Sequence, residues 1–335
     1  MISSSPKARA LVVILLVVPL GIYLVGLSHR LSQHCCLVGA LCTMFVERLG
    51  YFEHQQMRFR MQEIYPFQSS DAERERLAAQ GELVAPLTRR LFAKAGIAPG
   101  MRVLDIGSGS GDVALLAAQL VGPTGHVTSI DRDPAQVEYA DKRAKIQGFA
   151  NIHFIVGDFR EIAIAPAVDA IVGRLVLMYA ADPLNAMQRA LRYLKPGGIV
   201  ALQESIIDYE GPVFIEPLDC LAARAAEWFR AGFKHAAVQS RMGMRLFGLM
   251  RKAGLTPSTE IDMLVPILQG PDGALFGTLA SVVRSQLPAI VASGVATEAE
   301  IQIDTLEQRM IADAPAEGVV GYFNLGHVGV WGKKP

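Results

Sequence analysis

The sequence predicts an α/β fold in which a doubly wound, mostly parallel sheet carries helices on both faces. From Met101 onward, short apolar runs alternate regularly with helical patterns, and this alternation is typical of parallel sheets. The first apolar run passes directly into a glycine-rich turn and a helix, in the stretch 102–120, RVLDIGSGSGDVALLAAQL. Glycines at such a junction indicate that the backbone closely approaches a ligand at the carboxyl end of the sheet.

The composition is that of a folded protein without a basic surface. Of the 335 residues, 51% are hydrophobic and 19% are charged, so a sizeable core can form. The 32 basic residues balance 32 acidic ones and form no run, so we expect no nucleic-acid partner. The four cysteines fit neither a disulfide framework nor a zinc spacing, and they suit a reducing compartment.

Residues 1–50 are predicted to be a hydrophobic N-terminal segment. The run 10–27, ALVVILLVVPLGIYLVGL, contains no charge and is just long enough to span a membrane. The flanking charges favour a cytoplasmic N-terminus, which would export everything downstream. Two interpretations stay open. Either the run is a membrane anchor, or the biological start lies further along, at a residue such as Met44, and the reading frame is over-extended.

Residues 51–100 are predicted to form a helical cap ahead of the main domain. Ser70 and Glu73 give a capping-box pattern at the start of a helix, and Pro99-Gly100 ends that segment. Gly81 is expected to kink or split the helix.

The main domain is predicted to span residues 101–335. Its first strands are expected at 102–106, 126–131, 152–157, 170–172 and 199–203, with helices at 113–121, 135–147 and 183–194. Beyond Gln203 the pattern changes to helices at 217–237, 241–253, 274–293 and 298–312 and strands at 261–268 and 319–331. The two later strands complete a seven-stranded sheet. Helical insertions at about 209–240 and 270–318 are expected to act as lids, because connections at strand ends often carry function.

The glycine-rich turn favours one class of ligand. Gly107, Gly109 and Gly111 form a G-x-G-x-G pattern, and Asp112 occupies the place of the last glycine in the dinucleotide fingerprint. Asp105 stands at the end of the strand before the turn. A carboxylate there suits an ammonium group better than a pyrophosphate, which favours an amino-acid-bearing nucleoside over a dinucleotide.

Four motifs, VLDIGSGSG, SIDRDP, GDF and LKPGG, follow one another in this order. Together they resemble the class I S-adenosylmethionine-dependent methyltransferases, and the resemblance covers roughly residues 83–203. It implies a Rossmann-like methyltransferase fold with helical lids and S-adenosyl-L-methionine as methyl donor.

The resemblance also implies roles for individual residues. Asp131 would accept hydrogen bonds from the ribose hydroxyls, Asp158 from the adenine amino group, and Asp105 would lie near the amino group of the methionine portion. Taken alone, Asp131 and Asp158 could equally be caps, and Arg174 could form a salt bridge facing the lid. The full set of expected cofactor contacts is Gln80, Asp105, Gly107, Gly109, Gly111, Asp131, Arg132, Asp158, Phe159 and Arg174.

Members of this family need few catalytic side chains, because transfer of a sulfonium methyl group mainly requires an aligned nucleophile and the exclusion of water. A general base helps only a weakly acidic acceptor. Candidates are Glu204, at the end of the fifth strand, Asp208, just beyond it, and His235, in the first lid helix. The alternatives are a polar contact or arginine partner for Glu204 and a partly exposed helix position for His235.

Motifs that the sequence lacks exclude some classes of methyl acceptor. The sequence GRLV follows the fourth strand, where methyltransferases of base amines carry an Asn/Asp-Pro-Pro-aromatic motif. No acidic and amide cluster for a metal is visible, so we expect no metal. A small apolar or aromatic acceptor remains.

Two rival functions stay open at this stage. One is a dinucleotide-dependent oxidoreductase, against which Asp105 and Asp112 argue, and the other is a membrane-tethered protein that binds the cofactor without catalysis. Because S-adenosylmethionine is made in the cytoplasm, we expect a cytoplasmic domain, with membrane contact only through residues 10–27. The sequence indicates neither the acceptor atom nor the oligomeric state.

Overall fold

A computed structural model describes residues 70–163, 167–207, 214–322 and 326–335 of the chain. The predicted hydrophobic segment 1–50, with its candidate span 10–27, lies outside the described residues, as does Asp208.

The described residues contain a regular strand and helix series followed by a more helical second half. The strands are β1 Arg102–Ile106, β2 His126–Asp131, β3 Ile152–Val156, β4 Val168–Arg174, β5 Leu194–Ile206, β6 Ile215–Glu216, β7 Thr256–Pro257, β8 Asp262–Leu264, β9 Ile267–Gly270, β10 Val319–Tyr322 and β11 Gly326–Lys333. The α-helices are α1 Asp71–Ala95, α2 Asp112–Val121, α3 Pro134–Ile146, α4 Pro183–Ala190, α5 Leu221–His235, α6 Met242–Lys252, α7 Leu275–Ser293, α8 Glu298–Ile301 and α9 Leu306–Asp313. Short 3-10 turns occupy Leu177–Tyr179, Leu191–Tyr193 and Ile303–Thr305.

The main sheet confirms the predicted doubly wound, mostly parallel architecture. Its strand order is β3-β2-β1-β4-β5-β11-β7, and β8 adds an eighth strand by pairing with β11. The first five strands are parallel to their neighbours, whereas β11 runs antiparallel to β5 and opposes Val328 to Glu204. The carboxyl ends of β1 to β4 therefore meet at one edge, where ligands bind in open α/β sheets.

Two of the predicted strands are each two separate strands in the structure. The stretch 261–268 divides into β8, in the main sheet, and β9, which joins β10 and β6 in a separate three-stranded sheet. The final stretch 319–331 likewise divides into β10 and β11, one in each sheet. A continuous apolar pattern therefore crosses from one sheet to the other in both places.

Helix α1 runs unbroken from Asp71 to Ala95, so Gly81 does not split it. Ser70 caps its start by accepting a hydrogen bond from the Glu73 N–H at 3.1 Å. Gly81 serves close packing instead, because a Cβ atom built there would lie 2.5 Å from the Asp112 carboxylate. The glycine lets α1 approach the start of α2.

The core lies on both faces of the main sheet. Val103 and Leu104 belong to two different buried clusters, since successive side chains of a strand point to opposite faces. The cluster that contains Leu104 extends into α5 and α7 and includes Phe229 and Val282. The second half of the chain therefore packs on the same face as part of the sheet core.

Within the part of the chain that the structure describes, α7 is a helix long and apolar enough to cross a membrane. Length and composition alone are weak evidence, because buried helices of globular cores meet the same criterion. Eight residues of α7 are buried in this fold.

Candidate functional site

A cavity of about 680 Å³ opens at the carboxyl edge of the main sheet. Its walls come from the turn between β1 and α2, the ends of β2 and β4, the residues after β3, and the helices α1, α5 and α7. The cavity has a polar half near the glycine-rich turn and an apolar half whose residues come from α1, the segment after β4, α5 and α7.

The glycine-rich turn has the backbone conformation that the sequence suggests. Gly107, Gly109 and Gly111 have φ values of 69°, 48° and 87°, a region that side chains other than glycine rarely enter. A Cβ at Gly107 would lie 2.6 Å from Val176, and one at Gly111 would lie 2.8 Å from Ala140. A Cβ at Gly109 would meet nothing within 4 Å, and Gly109 lines the cavity. The outer glycines thus allow packing, while Gly109 leaves bare backbone beside the cavity.

Asp131 lines the cavity at the end of β2 and also holds the turn in place. Its carboxylate accepts the Gly109 N–H at 2.8 Å and the Asp133 N–H at 3.0 Å. Burial raises the pKa of Asp131, and these two N–H groups partly offset that effect. Each carboxylate oxygen has one such partner, so each keeps acceptor capacity for a ligand hydroxyl.

Asp105 lies beneath the turn rather than on the cavity surface. Its side chain is fully buried, and Ser129 Oγ donates a hydrogen bond to Oδ2 at 2.7 Å. The other oxygen, Oδ1, has no hydrogen-bond partner. Burial raises the pKa of Asp105 to about 7, against the lowering effects of Ser129 and Arg174. The amino-group contact expected of Asp105 stays a prediction.

Asp112 and Arg174 form a buried charge cluster on the cavity wall. Asp112 accepts hydrogen bonds from Ser110 Oγ at 2.6 Å and from Arg143 Nη1 at 2.9 Å. Arg174 lies 3.4 Å from both Asp112 Oδ2 and Thr88 Oγ1. Arg174 therefore has the salt bridge that was one alternative for it, and it lines the cavity as well.

The remaining predicted cofactor contacts also line the cavity. Gln80 lies on α1 and accepts a hydrogen bond from Arg76 Nη1 at 2.7 Å. Asp158 binds Arg160 through the side chain and the backbone N–H. Burial raises the pKa of Asp158, but the Arg160 hydrogen bonds outweigh it and hold that pKa below the usual range. Arg132 and Phe159 complete this set.

The two predicted catalytic residues are not among those that line the cavity. Glu204 is buried behind its wall, where its carboxylate accepts N–H groups from Val176 at 2.9 Å, Leu177 at 2.7 Å and Met178 at 3.3 Å. Burial raises the pKa of Glu204 to about 7, although these N–H groups lower it. His235 is the exposed last residue of α5. Their expected role as a base stays a prediction that this placement does not favour.

Several cavity residues were missed from the sequence. Arg76 lies one turn before Gln80 on α1, so the spacing of four could have indicated that both share a face. Ser108 and Gln136 also line the cavity, and Ser108 Oγ and Gln136 Oε1 are buried without hydrogen-bond partners. Buried polar atoms of this kind are normally satisfied, so the polar half is suited to a ligand with donors and acceptors.

The residues of the apolar half were not among the predicted site residues. The residues that form it are Leu77, Leu175, Val176, Met178, Tyr179, Phe229, Phe233 and Val282. The Phe229 and Phe233 rings meet edge to face with centroids 4.8 Å apart. These side chains suit an apolar or aromatic ligand.

The comparisons with known proteins agree with the motifs. A family model described as a methyltransferase domain matches residues 97–242. An aklanonic acid methyltransferase of Streptomyces sp. (strain C5) is 31% identical over 153 residues, which are 45% of this chain and 69% of that protein. An arsenite methyltransferase of Halobacterium salinarum is 34% identical over 115 residues, which are 34% of this chain and 29% of that protein. The match thus spans less than a third of the arsenite enzyme.

Solved structures of low identity are similar in part. A SAM-dependent methyltransferase from Aquifex aeolicus is 21% identical, with a TM-score of 0.40 over 52% of this chain and 81% of that one. Geranyl diphosphate methyltransferase in complex with GPP and sinefungin is 16% identical, with a TM-score of 0.44 over 75% and 77%. At this level the solved structures say nothing about the ligand of this chain.

Proposed function

The chain belongs to the class I S-adenosylmethionine-dependent methyltransferases, and we propose that it methylates a small apolar or aromatic molecule by in-line displacement. One observation carries this proposal. A single cavity joins the glycine-rich turn and the strand-end aspartates to an apolar half built by α5 and α7. Family membership decides against the dinucleotide-dependent oxidoreductase and against a protein without catalysis.

The polar half supplies the groups that a nucleoside with an amino-acid chain requires. S-adenosylmethionine, when bound, supplies an electrophilic methyl group on a sulfonium. Asp131 offers carboxylate oxygens to ribose hydroxyls, and Gly109 leaves room for close approach of the ligand to the backbone. Ser108 Oγ and Gln136 Oε1 gain hydrogen-bond partners from a polar ligand. Arg174 supplies positive charge on the same wall for a carboxylate.

The apolar half positions the acceptor and excludes water. Phe229, Phe233 and Val282 close it from the side of α5 and α7. Alignment of the nucleophile in a dry site is the main demand of this reaction, so shape matters more here than acid–base groups. Tyr179 is the titratable side chain that lines this half among the described residues. Acceptors that are already anionic near neutral pH need no further base, whereas a phenol, with a pKa of about 10, does.

The Asp131→Ala variant tests the polar half. We expect its affinity for S-adenosylhomocysteine to fall by about 1–3 kcal/mol, because charged hydrogen bonds to the ribose are lost. Calorimetry with S-adenosylhomocysteine and with a nicotinamide dinucleotide measures the change, and the wild type should bind only the former well.

Asp182→Ala is the matched control. Asp182 caps α4 by accepting the Asn185 N–H at 3.0 Å and does not line the cavity. It should lose cap stability without losing affinity. Equal affinities of wild type and a folded Asp131→Ala variant would show that Asp131 is only a cap.

A further inference from the structure

Helix α7 carries a buried amide that no side chain satisfies. Gln286 is fully buried, and neither Oε1 nor Nε2 has a hydrogen-bond partner. It stands among the apolar buried residues Val282, Val283 and Ile290 of the same helix. The neighbouring Ser285 is also buried, but its Oγ donates to the carbonyl groups of Ser281 and Val282. Among these residues of α7, Gln286 is thus the one whose buried polar atoms lack hydrogen-bond partners.

The amide lies at the contact between α5 and α7, about one turn from residues of both helices that line the cavity. A Cβ built at Gly232 would lie 2.7 Å from Gln286 Oε1, so the glycine makes room for the carboxamide. Gly232 follows the cavity-lining Phe229 by three positions and therefore lies on the same face of α5. On α7, Gln286 follows the cavity-lining Val282 by one turn.

Such an arrangement costs stability. A buried donor and a buried acceptor without partners lose their hydration and gain nothing in return. A methionine or leucine at this place would pack against the same neighbours without that cost. A residue that destabilises the free protein is explained when a ligand supplies the missing partners.

We propose that Gln286 is a specificity-determining residue of the acceptor site and hydrogen-bonds a hydroxyl or carbonyl group carried by an apolar ring. This inference rests on the proposed function. It adds that the methyl acceptors are apolar ring compounds that carry a hydroxyl or carbonyl group. Gln286 is not among the residues that line the cavity, so the contact requires its side chain to rotate towards it. Its carboxamide can both donate and accept, so it recognises either type of oxygen.

Two ring compounds of similar shape provide the test. Binding of 2-naphthol and of 2-methylnaphthalene is measured by fluorescence titration of the full-length protein saturated with S-adenosylhomocysteine. The variants are Gln286→Met and, as matched control on the same helix, Ser285→Ala. Calorimetry of S-adenosylhomocysteine alone is run on each protein first.

We expect the wild type and Ser285→Ala to bind 2-naphthol about tenfold more tightly than 2-methylnaphthalene, since one satisfied hydrogen bond is worth about that factor. Gln286→Met should bind both alike, retain its affinity for S-adenosylhomocysteine, and melt about 2–4 °C higher, because an unsatisfied amide has been removed.

The inference is overturned if the wild type shows no preference, if Gln286→Met keeps the preference, or if neither naphthalene binds while S-adenosylhomocysteine does. In these cases the proposed function stands. Absence of S-adenosylhomocysteine binding to the wild type would instead contradict the proposed function and this inference with it. The wild-type preference is measured without any variant, so its absence overturns the inference even if Gln286→Met does not fold. If the preference is present and Gln286→Met does not fold, Gln286→Leu takes its place.

Discussion

The Glu204 carboxylate fixes the chain just beyond β4, where that chain forms a wall of the cavity. Three consecutive N–H groups, from Val176 to Met178, converge on its two oxygens. Val176 also meets the turn, since a Cβ at Gly107 would lie 2.6 Å from it. The side chain therefore links the apolar half of the cavity to the glycine-rich turn without lining either. This geometry favours a positioning role for Glu204, and its role as a general base stays a prediction.

Two substitutions of Glu204 separate these roles. Glu204→Gln keeps an oxygen for Val176 and Leu177, so we expect a loss of about 1 kcal/mol in the free energy of unfolding. Methyl transfer should then stay within a few-fold of wild type. Glu204→Ala removes both acceptor oxygens, leaves all three N–H groups without this partner, and should cost about 2–4 kcal/mol. Urea unfolding and single-turnover methyl transfer measure the two effects. A stable Glu204→Gln variant with a hundredfold lower rate would restore Glu204 as general base.

At the scale of elements, the contact between α1 and α2 connects the predicted cap to the polar half of the cavity. Gly81 places the α1 backbone directly against Asp112, whose carboxylate binds Arg143 and lies near Arg174. Arg76 and Gln80 reach the cavity from the same helix. A change in the separation of α1 from α2 therefore moves charged groups of the cavity wall.

Gly81→Ala tests this coupling, with Gly248→Ala as control. The added methyl group would lie 2.5 Å from Asp112, so we expect a loss of about 1–3 kcal/mol in stability and weaker cofactor binding. A Cβ at Gly248, inside α6, meets nothing within 4 Å, so alanine there should stabilise by about 0.5–1 kcal/mol. Thermal unfolding and calorimetry give both quantities. A Gly81→Ala variant that matches wild type in both would refute the coupling.

The sequence predicted elements well where local pattern and topology agree. Strands β1 and β2 have the predicted bounds, because each apolar run ends at turn residues that the sequence displays. The stretch 261–268 failed because only tertiary pairing, to β11 for β8 and to β10 for β9, divides it. Periodicity cannot indicate which of two sheets a residue joins.

At the scale of the whole molecule, the cavity is assembled from segments far apart in sequence. Its polar half comes largely from one strand and turn series, whose motifs could be read in order. Its apolar half needs Phe229, Phe233 and Val282, which reach the cavity only because α5 and α7 pack along each other over the sheet edge. Glu204 shows what the sequence could not decide, since a carboxylate near the end of a strand has the same sequence signal whether it faces a ligand or three backbone N–H groups.

Buried titratable groups make the stability of the whole unliganded molecule depend on pH. Asp105 and Glu204 have pKa values raised to about 7 by burial, so the folded state holds protons that the unfolded state releases between about pH 4.5 and 7. Their contribution to stability is therefore lost as the pH rises through 7. Burial lowers the pKa of His327 to about 3, so its contribution is present above pH 6.5 and is lost as the pH falls towards 3. As the pH rises through this range, the two carboxyl groups therefore lower the free energy of unfolding, whereas His327 raises it.

Asp105→Asn isolates the contribution of Asp105. The amide keeps an acceptor for Ser129 and carries no charge, so it resembles protonated Asp105 at every pH. We expect the variant to match wild type near pH 4 and to exceed its free energy of unfolding at pH 8 by an amount of the order of 2–4 kcal/mol. Urea unfolding across this range measures the difference, in which the contributions of Glu204 and His327 cancel. A difference independent of pH would mean that Asp105 titrates normally.

Calorimetry on the same variant tests the predicted contact with the cofactor amino group. Loss of that ion pair should weaken binding of S-adenosylhomocysteine most at high pH, because wild-type Asp105 is ionised there.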